Sequence, residues 1–131
     1  MENWVEELNS NRNFAIGNDV VFMPDFKQSF NPLFKKKVYT ANEIAYCEQF
    51  DDSLLRYAST WAAKEAVYKA VKQIESKPIS FKKIEILREK IGGKPSVNLP
   101  VLYNDFKISL SISHDGDYVW AVAIINCESN L

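Results

Sequence analysis

The sequence predicts an α+β domain in which a long helix packs against a largely antiparallel sheet, and three observations carry that prediction. Residues 53–74 keep a helical period, with Leu55, Ser59, Ala63, Ala66, Val67, Ala70 and Ile74 along one stripe. From Ile84 onward the period changes to two, as in half-buried strands. The last such segment, Tyr118 to Asn126, is apolar on both faces, which suits a central strand. Helices gathered on one side of an antiparallel sheet give this class.

The elements follow in order. Residues 1–13 are polar and Asn-rich and read as a variable lead-in with at most one helical turn, so the domain occupies residues 14–131. Phe14-Ala-Ile16 and Val20-Val-Phe22 flank Gly17-Asn18-Asp19 and read as a buried strand interrupted by a glycine. Pro24 and Asp25 open a short helix to about Phe30, and Lys35-Lys36-Lys37 reads as a solvated loop or as a docking patch for an acidic partner. Thr40-Ala-Asn-Glu43 is a capping box that starts a helix to about Phe50. The long helix begins near Ser53 and carries mostly small residues on its core stripe, so it can press closely onto a sheet. Its opposite arc holds Tyr57, Trp61, Lys64, Glu65, Tyr68, Lys69 and Lys72, aromatic area on the side expected to face water or a partner. Ile84–Arg88 and Val97–Leu99 flank Gly92-Gly93-Lys94-Pro95 as a hairpin, and Ile108–His114 returns through Asp115-Gly116 into the final strand.

Composition excludes several classes. The chain has 131 residues, 47% apolar and 25% charged, in line with one ordinary globular domain. With 16 basic and 17 acidic side chains, non-specific nucleic-acid binding is not indicated. The acidic start lacks the apolar core of a signal peptide, and no stretch approaches the roughly 18 apolar residues of a membrane span. Cys47 and Cys127 are isolated, as reduced, inert thiols of the cytoplasm are. His114 is the only histidine, which rules out a two-histidine metal site and leaves a hard, oxygen-liganded ion such as magnesium or manganese.

The residues that carry chemistry are few. Glu65 reads either as a surface glutamate paired with Lys69 one turn on, or as a carboxylate offered to a divalent cation while Lys64 and Lys69 neutralise phosphate oxygens. Asp19 reads either as a turn residue or as a carboxylate in a buried segment, where a cation shared with Glu65 would offset the cost of burial. His114, at the end of an alternating strand, reads as a surface residue or as a hydrogen-bond donor to a phosphate or hydroxyl, with Ser113 beside it. A hydrolytic Ser113-His114-Asp115 triad fails, because neighbours on a strand point to opposite faces.

In this order the motifs resemble the 4′-phosphopantetheinyl transferase superfamily, and most closely its short single-domain branch. Gly17-Asn18-Asp19-Val20 is similar to the first family motif. Val38 to Cys47 is similar to a family helix start, and Trp61, Lys64, Glu65, Ala66 and Lys69 match the second motif in full. Ile79–Ile86, Gly93-Lys94-Pro95 and Leu110–Asp115 follow in the family order, so the resemblance spans about residues 14–126. It implies transfer of the 4′-phosphopantetheine arm of coenzyme A onto a serine of an acyl or peptidyl carrier protein, releasing adenosine 3′,5′-bisphosphate. It also implies Mg2+ held by Asp19 and Glu65, Lys69 on the reacting or leaving phosphate, and Lys64, Ser113 and His114 at the nucleotide end. A cytoplasmic homotrimer with coenzyme A at subunit interfaces is implied too, and the aromatic arc of the long helix fits such an interface.

This chain departs from the family pattern at two places. Phe22 stands where the short branch carries a glutamate, and Val21 where the two-domain branch carries an acid, so the resemblance leaves Asp19 alone as the metal ligand expected from this strand. Pro24-Asp25 replaces the basic start of the first helix, with Lys27 the only base nearby, and this implies a specialised carrier docked with help from Lys35, Lys36 and Lys37. Two other readings stand beside transfer: a degenerate relative that binds coenzyme A or a carrier protein without turnover, and a plain interaction domain whose aromatic arc is an oligomer interface.

Overall fold

The computed structural model describes residues 14–88 and 94–126. The lead-in at 1–13, the Gly92-Gly93 turn and Cys127 lie outside the described residues. Strand β1 (Phe14–Phe22) is followed by helices α1 (Met23–Ser29), α2 (Pro32–Val38), α3 (Ala41–Cys47) and α4 (Ser53–Lys72). A 3-10 turn at Phe81–Lys83 leads into β2 (Glu85–Arg88) and β3 (Pro95–Asn98), and a second at Val101–Tyr103 precedes β4 (Lys107–Asp115) and β5 (Tyr118–Asn126). The main sheet has the order β1-β5-β4 and β2 and β3 form a separate ladder, both antiparallel. The α+β architecture is therefore as expected, with β5 central. No helix among the described residues is long and apolar enough to cross a membrane.

The sheet alternates strictly. Ala15, Gly17, Asp19 and Val21 of β1, and Val119, Ala121, Ala123 and Ile125 of β5, face α4 and are buried. β1 is continuous through Gly17, so the glycine does not interrupt it. Its role is close approach: a Cβ at Gly17 would sit 1.9 Å from the Ala66 carbonyl oxygen and 2.7 Å from the Ala70 amide nitrogen. Ala63, Ala66 and Ala70 are fully buried at this crossing, as the small-residue stripe foretold, and so is Ala62 beside them. The segment is not buried on both sides, because Phe14, Ile16, Val20 and Phe22 are exposed on the outer face together with Tyr118, Trp120 and Ile124. The β4–β5 hairpin turns at Gly116-Asp117, with φ of 56° at Gly116, a conformation where only glycine is unstrained.

Three helical expectations need correction. The lysine triplet lies on α2, not in a loop; Asn31 caps that helix by accepting from the Phe34 amide at 2.8 Å, and Pro32 follows at the first helical position. Helix α3 ends at Cys47, short of Phe50, although its capping box forms as expected, from Glu43 N to Thr40 Oγ1 at 3.2 Å and from Thr40 N to Glu43 Oε1 at 2.8 Å. Helix α4 is buried nearly all round, because α3, β2 and the Phe81 turn cover the side away from the main sheet. The aromatic arc therefore packs within the chain: Trp61 meets Phe34 at 5.2 Å and Phe81 at 4.8 Å, Tyr68 meets Phe81 at 5.0 Å, and Tyr57 meets Tyr39 at 4.9 Å. Tyr57 is buried, and Trp61 and Tyr68 are half-buried against the core. Exposed apolar area gathers instead on the outer face of the main sheet.

Candidate active site

Asp19 and Glu65 share one cleft. Period two points Asp19 inward from β1, two residues beyond the Gly17 crossing, while α4 presents Glu65 next to Ala66, the residue that Gly17 nearly touches. The cleft encloses about 460 Å³ and is walled by Asp19, Asp25, Phe26, Phe34, Trp61 and Glu65. Asp19 is 9% exposed, and Lys69, one turn beyond Glu65, donates to its Oδ1 at 2.9 Å and to the Asn18 carbonyl at 3.2 Å. Lys69 thus bonds Asp19, and the simple helical pair between Lys69 and Glu65 is not what forms.

Burial and the neighbouring Asp19 charge push the Glu65 carboxyl up to about 7, while the Lys69 ammonium and a hydrogen bond from the Trp61 indole pull it down. The raised Glu65 carboxyl and the Asp19 carboxylate beside it, with a lysine nearby, make a donor set that a hard divalent cation fits: the ion would take the place of the proton on Glu65.

Lys64 is elsewhere. Its side chain is fully buried, and Nζ donates to Glu43 Oε1 at 2.7 Å, to Glu43 Oε2 at 3.0 Å and to the Ile84 carbonyl. Burial draws its ammonium down and Glu43 opposes that shift. Glu43 also accepts from the Ile86 amide at 2.8 Å. All three ammonium hydrogens are engaged, so the expectation that Lys64 grips a nucleotide gives way to a structural role joining α3, α4 and β2.

Ser113 and His114 do not line the Asp19–Glu65 cleft. Ser113 pairs with Trp120 and shares the exposed outer face of the sheet, whereas His114 turns to the helical side. There it borders a second pocket of about 200 Å³ with Tyr46, Arg56, Ser59, Arg88 and Ile112. The Arg88 guanidinium lies 4.9 Å from the Tyr46 ring centre, and Arg56 lies 4.0 Å from that of Phe50. The sequence reading missed Arg56 and Arg88; an arginine on the helix arc beside Ser59, and one closing a strand that faces it, are the signal that could have found them.

Residues 15–123 match the family model of the 4′-phosphopantetheinyl transferase superfamily. The chain is 36% identical over 123 residues to the holo-[acyl-carrier-protein] synthase of Wolbachia pipientis subsp. Culex pipiens (strain wPip), covering 88% of this chain and 98% of that one. It is 34% identical over 122 residues to the enzyme of the same name from Aquifex aeolicus (strain VF5), covering 87% and 99%. Among solved structures, the Chronobacterium ammoniagenes ACPS–CoA complex superposes with a TM-score of 0.77 at 28% identity, over 90% of this chain and all (100%) of that one.

Proposed function

The chain belongs to the 4′-phosphopantetheinyl transferase superfamily, as an enzyme of the holo-[acyl-carrier-protein] synthase type, and from that premise we propose that its Asp19–Glu65 cleft transfers the 4′-phosphopantetheine of coenzyme A to a carrier-protein serine in a magnesium-dependent reaction. The observation that carries the reading is the meeting of Asp19 and Glu65 in one cleft, with Lys69 bonded to Asp19. Relatives named for the holo-carrier product, and a structural relative solved with coenzyme A, support the substrate pair.

Asp19 and Glu65 would hold Mg2+ through carboxylate oxygens. Bound there, the ion supplies charge neutralisation of the pyrophosphate and in-line orientation of the phosphorus under attack. The serine oxygen forms a bond to the pantetheine-bearing phosphorus, the bond to the bridging pyrophosphate oxygen breaks, and adenosine 3′,5′-bisphosphate leaves. The serine proton passes to water or to a carboxylate beside the ion. Lys69, with half of its side chain exposed, reaches the reacting or leaving phosphate from the mouth of the cleft. Asp19 keeps Lys69 oriented, and the Phe26, Phe34 and Trp61 walls limit water around the phosphorus.

His114, with Arg56 and Arg88, is proposed to hold the anionic nucleotide end, and Ser113 contributes from the other face of β4. These residues lie outside the Asp19 cleft of their own chain, so the complete site is proposed to form between subunits of a homotrimer. The exposed Phe14, Val20, Phe22, Tyr118 and Trp120 face is the contact surface. A buried free thiol at Cys47 fits the cytoplasm.

Coenzyme A titrated with and without Mg2+, followed by mass spectrometry of an apo carrier protein after incubation, tests the proposal. A mass gain of one phosphopantetheine that needs the metal is expected, and metal-independent binding of coenzyme A with no transfer overturns it. Phe22, in place of an acid at the end of β1, favours a second reading as a binder without turnover, and the same mass measurement separates the two.

A further inference from the structure

We infer that Lys36, Lys37, Lys82 and Lys83, at the junction of α2 with the Phe81–Lys83 turn, form the docking surface for an acidic carrier protein, an inference that rests on the transfer reaction proposed above. The two segments lie far apart in sequence and side by side in the fold: Lys82 Nζ donates to the Lys36 carbonyl oxygen at 3.2 Å. All these lysines are exposed, and none takes part in an ion pair among the described residues. Lys35 is different, since Glu48 neutralises it at 2.9 Å and it lies over the Tyr57 ring. The triplet read from the sequence therefore divides, and the turn at Phe81 supplies new members. Because the whole chain carries a net charge of −1, this concentration of positive charge is local and not a property of the surface in general.

The junction borders the cleft. Phe34 of α2 walls it beside Asp19 and Glu65, Trp61 packs on Phe34, and Phe81 packs on Trp61, so a ladder of rings ties both lysine-bearing segments to the mouth. A protein that inserts a serine into the cleft must cover this rim. Leu33, 59% exposed and one turn before Lys36 and Lys37, offers an apolar anchor inside the basic rim. Helix α1 on the other wall offers Asp25 beside its single Lys27, a poor match for an acidic partner. Charge complementarity thus places the partner on α2 and the turn. Exposed lysines act by steering encounter and holding the complex, so their effect belongs to carrier affinity and salt dependence, not to the phosphoryl step.

The test compares the wild type with the variant K36E/K37E/K82E/K83E, using a bacterial apo-acyl-carrier protein. The expected result is a rise of at least tenfold in KM for the carrier, with kcat and KM for coenzyme A within twofold of wild type. Raising salt from 50 to 300 mM weakens carrier use by the wild type but not by the variant. The corresponding Lys→Gln set, which removes attraction without adding repulsion, gives a smaller rise in the same direction and a melting temperature close to wild type. An unchanged carrier KM overturns the inference, as does a parallel rise in KM for coenzyme A, which would assign the lysines to nucleotide phosphates. Calorimetric binding of the carrier protein without coenzyme A reads docking by itself. If the wild type binds and the Glu set does not while neither transfers, the docking surface stands and the transfer reading falls.

Discussion

Lys69 and Asp19, separated by 50 positions in sequence, meet at 2.9 Å across the join between α4 and β1. The contact spans two environments, for the Asp19 side chain is 10% exposed and the Lys69 side chain 51%. The lysine is therefore anchored on a buried carboxylate while half of its side chain stays in solvent. Such an arrangement serves a site that must hold charge before substrate arrives and redirect it afterwards.

Removing either carboxylate should abolish transfer without unfolding the chain. Asp19→Ala and Glu65→Ala are each expected to lose about 100-fold or more in kcat, in line with removal of a group that organises transition-state charge. Mg2+-dependent binding of coenzyme A should be lost with them. Circular dichroism should stay native, since neither side chain supplies core volume. Activity above a tenth of wild type in either variant would show the metal ligands to be wrongly assigned.

The raised Glu65 carboxyl gives stability a pH dependence of defined sign. Its ordinary value of 4.5 moves to about 7 in the folded chain, so folding favours the protonated form. This contribution is fully present below pH 4.5 and is lost as pH rises through 7. In EDTA, the melting temperature should therefore fall between pH 5 and 8, and Glu65→Gln should fall less. Mg2+ should recover more of the loss at pH 8 than at pH 6, because at the lower pH it competes with the proton. Parallel melting curves for wild type and Glu65→Gln across that range would rule the shift out.

The buried Glu43–Lys64 pair should show as strong coupling in a double-mutant cycle. Lys64→Met alone leaves Glu43 charged in the interior and should cost about 3–5 kcal/mol in urea unfolding. Glu43→Gln combined with Lys64→Met should recover part of that, giving a coupling energy on the order of 1–3 kcal/mol. Lys69→Met should change stability by under about 1 kcal/mol, since the lysine itself is half in water, yet lower kcat. Equal destabilisation by Lys64→Met and Lys69→Met would contradict the placement of these neighbours on opposite sides of α4.

Gly17→Ala should be among the most damaging single substitutions in the chain. The added methyl would meet backbone on both α4 contacts, which no side-chain rotation relieves. A loss of roughly 3 kcal/mol or more is expected in urea unfolding, at the upper end of what overpacking costs. A loss under about 1 kcal/mol would mean that β1 and α4 can part without penalty.

Much of this was legible in the chain because it is local. The Thr40–Glu43 box, the alternation of β4 and the doubly apolar β5 each depend on near neighbours, and each formed in place. Asp19 and Glu65 could be paired from their motifs. Lys64 could not be placed, because what buries it is Glu43 and the Ile84 carbonyl, partners about twenty residues away on either side. A helical wheel allows one solvent face, whereas α4 is enclosed by two layers, so Trp61 and Tyr68 looked like surface and proved half-buried against the core. The α2 helix was missed although Asn31-Pro32 marks its start, because three consecutive lysines carry no apolar period. Arg56 and Arg88 meet only through the packing of α4 near β2, which no local pattern records.

The crossing at Gly17 also acts as a gauge. Asp19 hangs two residues beyond it on one side, and Glu65 stands one residue before Ala66 on the other, so the gap between the carboxylates is set by backbone touching backbone. A gap held by side chains can drift as they repack; one held by main chain against main chain has a hard stop. The spacing of the charged pair is thus inherited from the thickness of the fold. Any lineage that thickens this seam by one methyl group alters its chemistry and its stability in the same step.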